Sequence, residues 1–307
     1  MADLPDEVFE RTQGRAHLIE QGVTSHELRG PLWHRAAHGW YRFMDASADD
    51  PDSRIDMARC VMPPDGALTG WAAAYLHGAK DFDGRSWDGR LEPVVVALPR
   101  NRRIKRAGIA TIRAPLPEQD ITTIGGINVT TAPRTCFELM RRGSLEDAVV
   151  AVDAMLRAGA VKLDELRTYV NGKARWDGVP AARAALELVD GRAASCPESR
   201  LRVVWVVEAK LPRPKVNVPV FGPSGHLAGV PDLLDEETGL AGEYDGAHHR
   251  GLEQHAADNV REERLEALGL TVVRATSVDL RRGRRQLVAR LREGYRRASR
   301  ASRRWHT

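Results

Sequence analysis

The residues best suited to chemistry lie in the stretch GEYDGAHHR, where two carboxylates, Glu243 and Asp245, are followed by two adjacent histidines. Side chains alternate along a strand, so the two carboxylates share one face of the strand predicted over LAGEYD. Asp232 belongs to the preceding run, VPDLLD, and the DEETG turn lets that run pair with LAGEYD. The spacing therefore predicts three acidic side chains at one strand end.

Three carboxylates that converge repel one another, and a divalent cation between them removes the repulsion. Hard oxygen ligands select Mg²⁺ or Mn²⁺. Such an ion activates a water molecule and neutralises the charge that develops on a phosphodiester. We therefore expect Asp232, Glu243 and Asp245 to bind Mg²⁺ or Mn²⁺ and to support phosphodiester hydrolysis.

Two other interpretations of this segment remain open. A zinc site would use His248, His249 and His255, although adjacent histidines seldom both reach one metal and no cysteine lies close in sequence. Alternatively, Asp245-Gly246 would form a hydrogen-bonded turn with a purely structural role.

The elements around the acids are predicted from periodicity and end signals. PESRLRVVWVVEA is typical of a helix that begins at Pro197 with Glu198 in its first turn. KVNVPVF and LTVVRAT favour strands, and LEQHAADNVREERLEALG favours a long helix. The tail RRQLVARLREGYRRAS predicts an amphipathic basic helix.

Several ordered motifs over roughly 195–280 resemble one family: PESRLR, PDLL, GEYDGAHH, a D-x-x-R in a helix, and LGLTVVRAT. The segment is similar to the endonuclease-like domains related to very-short-patch mismatch repair endonucleases, within the PD-(D/E)xK nuclease superfamily. The resemblance implies a restriction-endonuclease-like mixed sheet flanked by helices, with a metal-dependent phosphodiesterase site.

The resemblance also implies roles for individual residues. Glu198 matches the glutamate of the first helix, and His249 matches a histidine that acts as general acid. Asp258 and Arg261 match helix positions that brace the site or contact phosphate. Asp245 occupies the position where the superfamily usually has lysine, a departure that the related repair enzymes share.

Basic residues are concentrated at the end of the chain. Eleven arginines but a single acid, Glu293, lie between Arg281 and Thr307, although the whole chain carries a formal charge of only +4. Such a local excess favours binding to nucleic acid, and we expect Arg284 and Arg285 to contact DNA. The alternative is a solubilising, partly frayed tail.

The first fifty residues predict a winged helix-turn-helix. TSHE matches a capping box at the start of a short helix, PLWHRAAHG favours a third helix, and HGWYRF favours a turn followed by a strand. Arg35, with His34 and His38 nearby, would then lie on the element that faces DNA.

The middle of the chain mixes strands such as PVVVALP with helices such as the one after APRT. With the winged helix it weakly resembles the AbiEi-like antitoxins and transcriptional regulators of type IV toxin–antitoxin systems. We therefore expect a multidomain α/β protein with a winged-helix domain (1–50), an α/β middle domain (51–192) and an endonuclease-like domain (193–307).

The sequence also excludes several classes of protein. The polar N-terminus lacks the pattern of a signal peptide, the apolar runs are too short to cross a bilayer, and the spacing of the three cysteines predicts no disulfide framework. We expect a cytoplasmic protein that binds DNA without a membrane or a small-molecule cofactor and hydrolyses DNA phosphodiester bonds. The alternative is a non-catalytic transcriptional regulator or antitoxin with a degenerate nuclease domain. The sequence identifies no partner protein.

Overall fold

The chain forms two compact units, which meet in sequence between Glu138 and Leu139. Both units combine helices with strands, which confirms the predicted α/β class. The boundary predicted at 192/193 falls inside the second unit, in which the helix at Leu145–Arg157 packs against the first helix of the predicted endonuclease-like segment. The computed structural model describes residues 12–44, 49–99, 102–246 and 262–307.

The first unit begins with a three-stranded sheet of order β1–β3–β2. Its elements are β1 (Gln13–Gly14), α1 (Arg15–Glu20), a 3-10 turn (Glu27–Arg29), β2 (Trp33–Ala37) and β3 (Trp40–Phe43). The predicted capping box is confirmed: a carboxylate oxygen of Glu27 accepts a hydrogen bond from the Thr24 N–H at 2.7 Å, and the Thr24 hydroxyl accepts one from the Glu27 N–H at 3.2 Å.

The third helix predicted over PLWHRAAHG is wrong, since residues 33–37 form strand β2. Gly39, with φ of 74°, makes the tight turn that folds β2 back onto β3. This pairing brings the Trp33 ring edge-on to Phe43, with centroids 5.5 Å apart, and buries Trp33 against the core of the small sheet. Cross-strand packing therefore outweighs the helix propensity of the Ala-rich segment.

A second sheet of five strands, in the order β6–β5–β4–β8–β7, forms the main core of the first unit. Apolar side chains of α2 and α3 pack against β4, β5 and β8. The elements are α2 (Pro51–Val61), β4 (Ala67–Thr69), α3 (Gly70–Leu76), β5 (Val94–Leu98), β6 (Ile109–Arg113), β7 (Ile121–Ile124), β8 (Ile127–Thr130) and α4 (Ala132–Arg142).

The second unit opens with helices, whose bounds are α5 (Leu145–Arg157), α6 (Leu163–Asn171), α7 (Val179–Leu186) and α8 (Cys196–Val203). Ser144 caps α5 by accepting a hydrogen bond from the Asp147 N–H at 3.1 Å. A π turn at Val204–Glu208 continues α8, and its characteristic bond joins the Ala209 N–H to the Val204 carbonyl at 2.8 Å.

A mixed four-stranded sheet of order β14–β13–β12–β9 follows, with β13 and β14 parallel and the other pairs antiparallel. Strands β10 and β11 form a separate hairpin. The elements are β9 (Lys215–Val216), β10 (Val220–Phe221), β11 (Leu227–Gly229), β12 (Leu233–Asp235), β13 (Leu240–Asp245), a helix at 262–267, β14 (Thr271–Thr276), α9 (Ser277–Arg281) and α10 (Arg284–Ala298).

The two faces of this mixed sheet have different coverings. On one face, Trp205 of the π turn lies so close to Gly242 that an added Cβ would be 3.1 Å from its ring, and Gly294 gives α10 a similar close approach. The other face belongs to a core cluster in which Ala241 packs with Leu265 of the helix at 262–267. By alternation, Glu243 shares the face of Ala241.

The end of the chain is packed rather than frayed. Helix α10 buries Leu287 and Leu291, and Trp305 is only 6% exposed. The backbones of Phe221 and His306 exchange two hydrogen bonds of 2.9 and 3.1 Å. Within the described residues, no helix has both the length and the apolar composition needed to cross a lipid bilayer.

Candidate functional site

The structure brings Asp232 next to strand β13. One carboxylate oxygen of Asp232 accepts a hydrogen bond from the Tyr244 N–H at 2.7 Å. The β12–β13 register ends with Leu233 opposite Gly242, so Asp232, the residue before β12, lies beside Glu243 and Tyr244. Asp232 and Glu243 are therefore neighbours across the two strands.

We call Asp232, Glu243 and Asp245 the acid edge. Strand alternation puts Glu243 and Asp245 on the face of the sheet that carries Ala241, and Asp232 adjoins them through its hydrogen bond with the Tyr244 N–H. Glu243 is 5% exposed, whereas Asp245 is half-buried at the end of β13. The acid edge thus runs from the apolar core of the sheet toward solvent.

Glu198 has a defined structural task at the start of α8. Its carboxylate accepts hydrogen bonds from the Ala194 N–H at 2.8 Å, the Ser195 hydroxyl at 2.8 Å and the Asn217 side-chain amide at 3.0 Å. Ser195 is the N-cap of the helix. The predicted catalytic glutamate therefore closes the first turn of α8 and holds Asn217.

Asn217 connects Glu198 to the acid edge, a role that the sequence analysis missed. Its backbone N–H donates to the Asp232 carbonyl at 3.1 Å, while its side-chain amide also reaches the Arg192 carbonyl at 2.8 Å. Its φ of 51° is a left-handed conformation that asparagine tolerates better than most residues. An asparagine inside a predicted strand, where this residue type is depleted, was the available signal.

Tyr244 lies between two members of the acid edge in sequence. Burial raises the pKa of the Tyr244 hydroxyl; Arg281 opposes that effect, and the charge of Asp245 adds to it. The hydroxyl is therefore neutral at physiological pH. The backbone N–H of Tyr244 donates its hydrogen bond to Asp232.

Among the described residues, no three His, Cys, Asp or Glu side chains are grouped closely enough to hold a metal ion. The acid edge nevertheless supplies the oxygen donors that Mg²⁺ uses, since this ion is commonly held by one or two carboxylates together with waters and substrate phosphate. The adjacent pair Asp232 and Glu243 fits that requirement. Asp245 lies two residues, or about 6.6 Å, along the strand from Glu243.

The histidine-rich loop lies outside the described residues. This applies to the predicted general acid His249, to His248 and His255 of the zinc alternative, and to Asp258 and Arg261.

The predicted DNA-contacting arginines have different surroundings. Arg35 is exposed on β2, with its guanidinium 2.7 Å from the imidazole Nδ1 of His38. Arg284 instead makes hydrogen bonds of 2.6–2.8 Å to the carboxylates of Glu146 and Glu208, which raise its pKa. Arg285, the next residue, is exposed.

Other tail arginines also divide between internal bonds and solvent. Arg292 donates to the backbone carbonyls of Glu208 and Ala209, so it attaches α10 to the π turn. Arg282, Arg285, Arg297 and Arg300 are among the exposed arginines of the tail region.

No family model matches this chain. Over 165 residues, the chain is 33% identical to two proteins of Mycobacterium tuberculosis, the uncharacterized proteins MT2308 of strain CDC 1551 / Oshkosh and Rv2248 of strain ATCC 25618 / H37Rv. The matched segment covers 53% of this chain and 60% of each relative, so the chain spans less than two thirds of the length of these relatives. Neither name states an activity.

Proposed function

We propose that this protein binds DNA and that its second unit hydrolyses DNA phosphodiester bonds with Mg²⁺ or Mn²⁺ at the acid edge. The observation that supports this most directly is the hydrogen bond from the Tyr244 N–H to Asp232, together with the β12–β13 pairing that brings Asp232 beside Glu243. Two carboxylates held in this way form an oxygen-donor pair that a divalent cation stabilises.

Each acid has a distinct task in this proposal. Asp232 and Glu243 hold the ion, and Asp232 is preorganised because both its side chain and its carbonyl accept backbone hydrogen bonds. Asp245, at the solvent end, orients the attacking water. The bound ion would lower the pKa of the water that it binds and would neutralise negative charge on the phosphate. The resemblance adds His249 as the donor of a proton to the leaving oxygen.

DNA binding would combine the exposed arginines of the tail region with the first unit. Arg282, Arg285, Arg297 and Arg300 contact phosphates and give an affinity that falls steeply with salt. Arg35 and its neighbours on β2 contribute to recognition in the first unit. The sequence resemblances extend the proposal to a role in DNA repair or in a defence system.

A second candidate is a transcriptional regulator or antitoxin whose nuclease-like unit is not catalytic. The use of Glu198 as a helix cap and as the partner of Asn217 favours it, because this carboxylate already accepts three hydrogen bonds within the protein. An acid committed in this way contributes to folding without any ligand.

A plasmid assay separates the two candidates. Purified protein is incubated with supercoiled plasmid and with single-stranded DNA in Mg²⁺, Mn²⁺ or EDTA. Asp232→Asn removes the negative charge and keeps a side-chain oxygen that can accept from the Tyr244 N–H. Glu243→Gln removes the negative charge of Glu243 with little change in side-chain shape. Glu266→Gln, an exposed acid on the helix at 262–267, is the matched control.

We expect metal-dependent nicking by the wild type and the control, and a loss of about 100-fold or more in both acid-edge variants. Equal nicking by Asp232→Asn would contradict the proposed site. An absence of cleavage on both substrates, together with tight salt-sensitive DNA binding, would instead favour the regulator.

A further inference from the structure

Arg274 on β14 occupies the position next to Glu243 in the mixed sheet. Strands β13 and β14 are parallel, and their register pairs Glu243 with Arg274 and Gly242 with Val273. Paired residues of neighbouring strands point to the same face. The register therefore puts a cation next to Glu243, and Asp232 lies close by through its hydrogen bond with the Tyr244 N–H.

Packing on both sides of the sheet supports this assignment of faces. A Cβ added at Gly294 of α10 would lie 2.8 Å from Val273, so Val273 faces α10. Val272 belongs to the opposite core cluster with Ala241 and Leu265. Arg274, two residues after Val272, shares the face of the acid edge.

The side chain of Arg274 is both anchored and accessible. Its guanidinium forms an ion pair with Glu262, at the start of the helix at 262–267, and the side chain is 33% exposed. A planar guanidinium carries five N–H donors, so a contact with one carboxylate leaves others available for phosphate.

The positive charge of Arg274 can offset negative charge at the acid edge. A phosphodiester that approaches the acid edge brings another negative charge to a place where carboxylates already repel it. We infer that Arg274 is a catalytic residue that binds the phosphate of the scissile phosphodiester beside the acid edge. This inference rests on the proposed hydrolytic function.

The reaction itself is a simple hydrolysis. The oxygen of water forms a bond to phosphorus, the bond from phosphorus to the leaving sugar oxygen breaks, and a proton of the water passes in net terms to that oxygen. Arg274 stays protonated throughout and stabilises the charge on the non-bridging oxygens.

A purely structural role is the competing explanation, in which the pair of Arg274 and Glu262 only fastens the helix to β14. The two partners are then equivalent, and loss of either has the same effect. If Arg274 serves the phosphate, the partners differ, because Glu262 has no part in substrate binding. Glu262→Gln is therefore the matched control for Arg274→Gln.

The test measures nicking and Mn²⁺ binding for the full chain and for Arg274→Gln, Arg274→Lys and Glu262→Gln, with folding verified by circular dichroism. We expect about a 100-fold loss of nicking in Arg274→Gln, partial activity in Arg274→Lys, and near wild-type nicking in Glu262→Gln. Loss of the positive charge next to Glu243 also tightens Mn²⁺ binding by about fivefold, which reports how close Arg274 lies to the ion.

Three results would overturn the inference. Full activity of Arg274→Gln would remove Arg274 from the reaction and leave the proposed hydrolysis intact. Equal losses of nicking in Arg274→Gln and Glu262→Gln would assign the pair to structure. If the wild type cleaves neither plasmid nor single-stranded DNA, the proposed function fails, and the catalytic role of Arg274 fails with it.

Discussion

Two groups of charged residues in the second unit differ in how their carboxylates are paired. The first, which we call the helix joint, connects α5, α8 and α10 through Glu146, Asp153, Arg200, Arg202 and Arg284. There each acid meets an arginine from another helix. At the acid edge, by contrast, Asp232 and Glu243 lie close together beside one arginine, Arg274, and a backbone N–H donates to Asp232.

Burial makes the contrast sharper. Asp153 and Arg202 are an ion pair with side chains 0% and 1% exposed, and Asp153 also accepts hydrogen bonds from the Ser199 hydroxyl at 2.6 Å and the Asp190 N–H at 2.8 Å. A buried charge with such partners stabilises one packing of the helices. Like charges that lie close together at a partly open edge are costly to folding, and a bound divalent cation would offset their repulsion.

The largest effect is expected when the helix joint loses one partner. Arg202→Ala leaves the Asp153 carboxylate buried without its counter-charge and should lower the free energy of unfolding by about 3–5 kcal/mol. Urea unfolding monitored by circular dichroism measures this change. Arg296→Ala, which breaks an exposed pair with Glu293 on α10, is the control and should have no measurable effect. Similar free energies of unfolding for Arg202→Ala and Arg296→Ala would mean that the helix joint contributes no more to stability than an exposed ion pair.

An intermediate effect is expected when metal is added. If the acid edge binds Mn²⁺, the folded state gains about 2.7 kcal/mol at a concentration 100 times the dissociation constant. Thermal unfolding with and without Mn²⁺ measures the gain. Glu243→Gln should abolish it, whereas Arg202→Ala, although less stable, should keep it. If Mn²⁺ does not change the melting temperature of the wild type, the proposal that the acid edge binds a cation and the helix joint does not is contradicted.

The smallest effect concerns pH. Burial alone would raise the pKa of the Glu146 carboxyl, but hydrogen bonds and charge from Arg284 and Arg200 outweigh it and hold the pKa below the ordinary value of 4.5. The stabilisation is therefore present above pH 4.5 and is lost as the pH falls through the lowered pKa.

We expect Glu146→Gln to cost about 1.5 kcal/mol at pH 7 and progressively less below pH 4.5. Urea midpoints of wild type and variant between pH 7 and pH 3 test this. A gap between the two proteins that stays constant with pH would mean that Glu146 contributes by shape rather than by charge.

Local signals in the sequence were enough to predict much of the acid edge. The run LAGEYD predicted strand β13, and Pro197 with Glu198 in the first turn predicted the start of α8. The placement of Asp232 next to β13 also followed from pattern, because a short turn connects the two strands.

The helix joint could not be predicted in this way. Arg284 and Glu146 are 138 positions apart, and the sequence favoured DNA as the partner of Arg284 because its neighbours are arginines. The wrong helix at 33–37 has a related cause, since the pairing of β2 with β3 and the burial of Trp33 are tertiary events. Side-chain choice between solvent, DNA and a distant carboxylate depends on the fold, and local periodicity carries no information about it.

Because of the π turn after α8, the contacts with α10 depend on the number of residues in the segment Val204–Glu208. Each residue of a regular helix turns the next by about 100°, and the wider turn at Val204–Glu208 absorbs one extra residue. Glu208 and the Ala209 carbonyl therefore face Arg284 and Arg292 of α10 at an angle that an uninterrupted helix would miss. Deletion of a single residue from this segment would rotate those anchor points away from α10, even if every remaining side chain were kept.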